Sequence, residues 1–303
     1  MKVLKALINR ELLEHKWGFL YLPWVISLLM SSLILFVWLG LANIPAGEFT
    51  FSTEVYENEE IVEGMRNATL EQRTGAIKTA LLVLGLPVVL GLGLSILSFA
   101  ISTFFDERKD NSVVFWRSMP VSDTTTVLSK LVFIIFFAPL LIIPPLLVVH
   151  FVALFAASVY FINNDIVSFM WTWQAYPALD WLRIIISLWV QGLWMLPLLS
   201  WFMLASVWSR RPIFFSLVPL VVLVAVEDAV LSTNFLFTSI LDRIRSWRQS
   251  SVYEELEGRF EVAPLSDLPI LISSPDFILG LFVGGLFIAL TIALRGKFGR
   301  SLD

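Results

Sequence analysis

Long apolar stretches alternate with short charged ones along the chain. Six of the apolar stretches come close to the roughly 20 residues that an α-helix needs to cross the hydrocarbon core of a bilayer. The pattern therefore predicts an all-α polytopic membrane protein, with residues 1–303 forming a single transmembrane domain. The six predicted transmembrane helices cover residues 17–41, 79–103, 127–154, 182–206, 212–226 and 277–294.

The segment 1–16 predicts an interfacial N-terminal helix. The apolar residues on one face of this helix are Leu4, Leu7, Ile8 and Leu12. A basic amphipathic helix of this kind lies at the level of the lipid headgroups and attracts anionic lipid. A simple solvated lead-in to the first span is the alternative. The segment is too charged for a cleaved signal peptide and runs directly into a full-length apolar span.

The distribution of Lys and Arg predicts the orientation of the chain in the membrane. The two termini, the loop 104–126 with Lys130 just after it, and the turn at Arg210 and Arg211 together hold 13 of the 21 basic residues. The long segments 42–78 and 227–274 lie on the opposite side, together with most of the acidic residues. We therefore expect cytoplasmic termini, a cytoplasmic loop 104–126 and two extracytoplasmic segments.

The amino-acid composition excludes several classes of function. Hydrophobic residues make up 57% of the chain and charged residues 15%, whereas soluble domains average about 45–50% and about 25%. The net charge of −4 gives no indication of a nucleic-acid partner. The absence of cysteine excludes a disulfide framework, a thiolate nucleophile and a cysteine metal site.

The sequence contains no motif of an enzyme. The phosphate-binding loop G-x-x-x-x-G-K-[ST] is absent, so we do not expect this chain to hydrolyse ATP. The zinc motif H-E-x-x-H is absent, and the predicted spans hold no converging carboxylates or nucleophile–base pair. We therefore predict no catalytic, cofactor-binding or metal-binding residues. Two alternatives stay open: an ATPase-independent secondary transporter, which would usually place ionisable groups at the bilayer midplane, and a membrane sensor or anchor.

Few polar residues fall within or next to the predicted spans. His150 is the one histidine in a predicted span, and we expect a structural or interfacial role for it. Glu227 and Asp228 are expected to mark the exit of the fifth span into water. Gly280 and Gly284 form a small-xxx-small pattern, which predicts helix packing and leaves a homodimer contact open.

The segment from Phe104 to Leu131 carries the clearest functional signal. It reads FFDERKDNSVVFWRSMPVSDTTTVLSKL: a charged exit from the second span, a short apolar and aromatic patch, and a basic re-entry into the third span. Apolar rings in a cytoplasmic loop need cover from lipid headgroups or from a partner protein. Aromatic and Arg side chains are also favoured anchors in protein interfaces. The segment therefore predicts a docking element.

This segment resembles the first cytoplasmic loop of the ABC-2 type transporter permeases, the membrane subunits of one class of ABC exporters. That loop typically reads Glu-Arg, Gly-Thr-Leu, a short helix, Pro-x-Ser, and Gly-Lys-Leu at the next span. The matching positions here are Glu107-Arg108, Pro120-Val121-Ser122 and Lys130-Leu131. Asn111-Ser112-Val113 replaces Gly-Thr-Leu, and Ser129 replaces the last Gly. The family also resembles this chain in its six spans, cytoplasmic termini and interfacial N-terminal helix.

The resemblance implies a fold, a function and a set of partners. The fold would be the ABC-2 (type V exporter-like) transmembrane domain, forming the translocation pathway as a dimer with a second permease chain, expected to be a homodimer. Two copies of a separate ATP-binding subunit would hold ATP and magnesium and dock on the cytoplasmic helix 107–118. The implied location is the bacterial cytoplasmic (inner) membrane, in contact with membrane lipid. The residues implied in the contact with the ATPase subunit are Glu107, Arg108, Ser112, Val113, Phe115, Trp116 and Arg117.

Overall fold

A computed structural model describes residues 2–43, 58–110, 121–166, 169–174, 178–245 and 268–300. These residues form helices joined by short turns, and no strand occurs within the described ranges. The prediction of an all-helical protein is therefore confirmed. Five helical runs are long and apolar enough to cross a membrane, which supports the assignment to the membrane.

The helices are numbered here in chain order. The first half contains α1 (Lys2–Glu14), α2 (Leu22–Asn43), α3 (Asn58–Asn67), α4 (Leu70–Lys109), α5 (Asp123–Val132), α6 (Ala138–Leu141) and α7 (Ile143–Asn163). The second half contains α8 (Phe169–Gln174), α9 (Ala178–Trp194), α10 (Leu196–Trp208), α11 (Pro212–Leu231), α12 (Phe235–Ile244), α13 (Leu268–Ile272) and α14 (Pro275–Arg300). Two π-helical turns, Trp17–Tyr21 and Phe133–Phe137, run directly into α2 and α6.

Five of the six predicted spans correspond to helical runs of sufficient length among the described residues. These runs are Trp17–Leu39, Leu70–Lys109, Asp123–Asn163, Pro212–Leu231 and Pro275–Lys297. The helix α4 alone has 40 residues, so it is about 60 Å long at 1.5 Å per residue. Because this is about twice the thickness of the hydrocarbon core, at least one end of α4 must project beyond it.

The fourth predicted span, 182–206, is not a single straight helix. The helical run that ends at Trp194 and the helix α10 are bent by 57° relative to each other, as a broken span or a re-entrant loop. Pro197 lies in the first turn of α10. Proline has no backbone N–H to continue the helical ladder, so the helix breaks although the hydropathy is continuous.

The long helix α4 lies at the centre of the bundle and packs against α2, α7, α10 and α11. The rings of Phe19, Phe99 and Phe133 meet where the two π-helical turns approach α4. Their centroids are 4.9 Å apart for Phe19 and Phe133, 5.6 Å for Phe99 and Phe133, and 5.8 Å for Phe19 and Phe99. All three rings are buried, so this aromatic group forms the core at one end of the bundle.

His150 is buried and has a partner on each ring nitrogen. The indole N–H of Trp181 donates to Nδ1 at 3.0 Å, and Nε2 lies 3.1 Å from the carbonyl oxygen of Leu81. An indole N–H can only donate, so Nδ1 is unprotonated and Nε2 carries the proton that it shares with Leu81. These contacts give His150 a structural role between α4, α7 and α9.

Glu227 caps the helix that follows it. Its carboxylate accepts hydrogen bonds from the hydroxyl of Thr233 at 2.7 Å and from the backbone N–H groups of Phe235 and Leu236 at 2.8 and 2.7 Å. The first N–H groups of a helix have no partner within the helix. Glu227, which was expected to mark the exit of the fifth span into water, therefore also holds the start of α12 in place.

Candidate functional site

An ionic cluster joins four helices at one end of the bundle. Its members are Arg10 and Glu11 of α1, Glu107 of α4, Asp123 and Lys130 of α5, and Arg295 of α14. Three cations and three carboxylates balance one another among these six side chains. The cluster lies where α4 leaves the bundle and α5 re-enters it, at the base of the segment that resembles the ABC-2 loop.

Lys130 occupies the centre of the cluster and is 1% exposed. Its ammonium donates to both carboxylate oxygens of Glu11 at 3.0 and 2.9 Å and to the hydroxyl of Thr103 at 2.8 Å. It also lies 3.1 Å from a carboxylate oxygen of Glu107. A buried charge is costly unless it is paired and hydrogen-bonded, and these contacts compensate for the loss of water.

Glu107 connects α4 to the other three helices of the cluster. It is 6% exposed, and its carboxylate lies 2.8 Å from Arg10, 3.1 Å from Lys130 and 3.1 Å from Arg295. Removal of one member of a buried ion pair leaves an uncompensated charge, which costs more than the pair itself contributes. The last turn of α4 is therefore held firmly to α1, α5 and α14.

Asp123 and Arg295 close the cluster on the side of α14. The Arg295 Nε donates to the Asp123 carboxylate at 2.9 Å, and its guanidinium lies 5.1 Å from the centroid of the Phe104 ring. Asp123 stands in the first turn of α5, where a negative charge is favourable. Ser122 caps the same helix by accepting a hydrogen bond from the Thr125 N–H at 3.1 Å.

Arg108 attaches the end of α4 to the end of α10. Its guanidinium donates to the carbonyl oxygens of Ser206 at 2.8 Å and Ser209 at 2.6 Å. The last carbonyl groups of a helix lack partners within it and interact well with cations. The loop that follows α4 is thus anchored to a fifth helix.

The structure describes two of the seven residues predicted to contact an ATPase subunit. Glu107 and Arg108 both form contacts within this chain, so a direct contact of either with a partner stays a prediction. Those that lie outside the described residues are Ser112, Val113, Phe115, Trp116 and Arg117. What the structure adds is the position of Glu107 and Arg108 as anchors of the loop.

Sequence reasoning missed the cluster as a whole. One signal was present in α1, where Glu11 follows Leu7 by four residues and Ile8 by three and so shares their helical face. An acidic side chain on the buried face of an amphipathic helix indicates a cationic partner. The partner was not evident, because Lys130 lies 119 residues further along the chain.

A second group of titratable residues adjoins the cluster. Ligand atoms of Glu11, Glu14 and His15 lie within 4.8 Å of one another. Both carboxylate oxygens of Glu11 already accept from Lys130, so a metal ion would have to displace this ammonium. Burial lowers the pKa of His15 below its usual value; the Glu11 carboxylate opposes this shift, and Lys130 adds to it.

Comparison with protein-family models, curated proteins and solved structures finds no match for this chain. We therefore infer a function from the ionic cluster, from the membrane-spanning helices and from the segment that resembles an ABC-2 loop.

Proposed function

We propose that this chain is the permease subunit of an ATP-driven ABC exporter of the ABC-2 type. It forms the translocation pathway as a dimer and couples to a separate ATP-binding subunit through the loop between α4 and α5. ATP and magnesium bind to that partner. The observation that carries the proposal is the ionic cluster at the base of the loop.

A loop that transmits movement to membrane helices needs firm attachments at both of its ends. Glu107 supplies the attachment on α4, and Asp123 and Lys130 supply it on α5, through ion pairs with α1 and α14. Because these side chains are mostly buried, their interactions are screened little by salt. A force on the loop would therefore move four helices together rather than bend the loop alone.

Four described positions of the loop motif have structural roles that support such coupling. Glu107 joins the cluster, Arg108 binds the end of α10, and Ser122 caps α5. Lys130 lies at the centre of the cluster. These roles agree with the resemblance, since the motif residues fix both ends of the loop.

The orientation predicted from Lys and Arg places the cluster and the loop in the cytoplasm, where an ATP-binding subunit would be found. The chain would then lie in the bacterial cytoplasmic membrane with both termini inside.

Affinity purification from native membranes in a mild detergent tests this proposal. The chain is recovered with its partners, which are identified by mass spectrometry, and the ATPase activity of the recovered material is measured. We expect a soluble ATP-binding protein to be recovered with the wild type. We expect it to be lost when Phe115 and Trp116 are both replaced by Glu, because two carboxylates would oppose burial of the loop in an interface.

The control carries Asn9→Glu and Thr124→Glu, which place two carboxylates at exposed positions outside the helix 107–118. It should retain the ATP-binding protein. A folded, active chain that is recovered without any ATPase would contradict the proposal and favour the secondary transporter or the sensor.

A further inference from the structure

A cavity of about 350 Å³ lies between the beginning of α2 and the middle of α4. It adjoins the ionic cluster but lies outside it. Its polar lining residues include Glu14, His15, Trp17, Ser98 and Ser102. None of these five side chains is part of the loop contact proposed above, so the cavity is a site separate from that contact.

The wall of the cavity is built by the π-helical turn Trp17–Tyr21. The turn is closed by a hydrogen bond from the Leu22 N–H to the Trp17 carbonyl. The hydroxyl of Ser95 on α4 donates to the Gly18 carbonyl at 2.8 Å, and a Cβ at Gly18 would lie 3.2 Å from that hydroxyl. Turns of this type are rare and frequently occur at functional sites.

The α4 side of the cavity carries a row of hydroxyl groups. Ser98 and Ser102 follow Ser95 at intervals of three and four residues, so they share one face of α4. Within the part of the chain that the structure describes, neither the Ser98 hydroxyl nor the Ser102 hydroxyl forms a hydrogen bond to another residue. These hydroxyls can therefore donate to a ligand in the cavity, as can an imidazole N–H of His15.

The other side of the cavity favours a cation. Among the described residues of the lining, Glu14 is the one that carries a charge, and its side chain is 45% exposed. The indole ring of Trp17, which is 74% exposed, stands beside it. A carboxylate together with an accessible indole face attracts an ammonium group through ion pairing and a cation–π interaction.

The cavity opens toward apolar surface. Leu94 and Leu22 belong to the lining and are 65% and 37% exposed, and Trp17 and Tyr21 are aromatic residues of the kind found at membrane interfaces. A ligand that enters from this side would bring an apolar part along Leu94 and a polar part into the cavity. The arrangement is that of a site for an amphipathic molecule.

We propose that this cavity binds the headgroup of a zwitterionic aminophospholipid. The phosphate accepts hydrogen bonds from Ser98, Ser102 and His15. The ammonium lies between the Glu14 carboxylate and the Trp17 ring, and the acyl chains follow the apolar surface at Leu94. An anionic headgroup without an ammonium would place no cation between the Glu14 carboxylate and the Trp17 ring. The site does not depend on an ATPase partner, so it can be tested independently of the proposed function.

The site is also connected to the ionic cluster. The Glu14 carboxylate accepts from the Arg10 Nε at 3.0 Å, and the same guanidinium donates to Glu107 at 2.8 Å. A lipid bound at Glu14 therefore lies next to the attachment of α1.

Native mass spectrometry of the detergent-purified full chain tests the proposal. The protein is stripped of lipid and then offered an equimolar mixture of dioleoyl phosphatidylethanolamine and dioleoyl phosphatidylglycerol. We expect phosphatidylethanolamine to be retained about tenfold better, the factor that one charge-assisted hydrogen bond supplies. Glu14→Gln and Trp17→Leu should each abolish this preference; Trp17→Leu leaves the ion pair between Arg10 and Glu14 intact.

The double variant Ser98→Val with Ser102→Val should lose retention of both lipids. The matched controls are Glu71→Gln and Ser32→Val, at exposed positions away from the cavity, and both should behave as the wild type. Equal retention of the two lipids by the wild type would overturn the proposal. A preference for phosphatidylglycerol, or a preference that survives Glu14→Gln and Trp17→Leu, would overturn it as well.

Discussion

Lys130 is an ammonium buried beside an aromatic core. Its Nζ lies 5.5 Å from the ring centroids of both Phe99 and Phe104, and its carboxylate partner Glu11 is itself buried. The ion pairing that compensates for burial of the Lys130 ammonium is therefore local, and it requires all of its partners. A single substitution here should have a much larger effect than one at an exposed charge.

We expect Lys130→Met to destabilise the protein by about 3–5 kcal/mol, the usual cost of breaking a buried ion pair. Glu11 and Glu107 would be left without their central cation. The measurement is the thermal unfolding temperature of the purified chain in detergent. Lys16→Met removes an exposed charge and should change this temperature little.

A double substitution distinguishes the loss of the ion pair from the loss of a single charge. Glu11→Leu combined with Lys130→Met removes an anion and a cation together, so it should be less destabilising than the sum of the two single changes. Additive effects of the two single changes would show that the two side chains do not interact.

His15 makes stability depend on pH. Its pKa is below the usual value of 6.5, chiefly because of burial, so the unfolded chain binds a proton more readily than the folded one. The stability that this residue contributes is complete above pH 6.5 and is lost as the pH falls below it. The unfolding temperature of the wild type should therefore fall more steeply than that of His15→Gln between pH 8 and pH 5. Parallel curves for the two proteins would exclude this role.

At the scale of helices, two adjacent glycines on α14 have different surroundings. A Cβ at Gly284 would lie 2.6 Å from Cγ of Leu196, at the start of α10. A Cβ at Gly285 would meet no atom within 4 Å. Of these two glycines, Gly284 therefore allows α14 to pack closely against α10. It is the second glycine of the small-xxx-small pattern that begins at Gly280.

Gly284→Ala should lower the unfolding temperature, because α10 and α14 would have to separate; overpacking of this kind typically costs about 1–3 kcal/mol. Gly285→Ala is the matched control and should leave the temperature unchanged or raise it slightly, since Ala is the better helix former. If the two variants behaved alike, the packing of α10 on α14 would differ from the one described.

Long apolar stretches predicted most of the helices, because the bilayer imposes the length of a span and a span consists of contiguous residues. The bend at Met195 was not predicted, because residues 182–206 are mostly apolar and the break depends on Pro197 and on neighbours from elsewhere in the chain. One such neighbour is Arg243, whose guanidinium donates to the Trp194 carbonyl at 3.0 Å and stacks over the Trp194 ring at 4.0 Å.

At the scale of the whole molecule, distant parts of the chain meet at the ionic cluster. Arg10 and Glu107 are 97 residues apart in sequence, and Asp123 and Arg295 are 172 residues apart. The motif at Glu107 could be recognised from sequence because its residues are adjacent. The partners of those residues could not be identified, because pairing over such distances is decided by how the helices pack.

The ionic cluster also determines which helices a bound partner would move. The helices α1, α4, α5 and α14 share one buried set of charges, so a partner that binds the loop would act on all of them. We propose that this partner is an ATP-binding subunit.

Site-specific photo-crosslinking in living cells tests that claim most directly. A photoreactive phenylalanine analogue is placed at Phe115, and in a control at Phe36, which is 74% exposed on the membrane-spanning helix α2. Crosslinked proteins are identified by mass spectrometry. We predict that position 115 captures a soluble ATP-binding protein and that position 36 does not. Capture of no ATP-binding protein at position 115, in cells where the chain is folded and present in the membrane, would contradict the account.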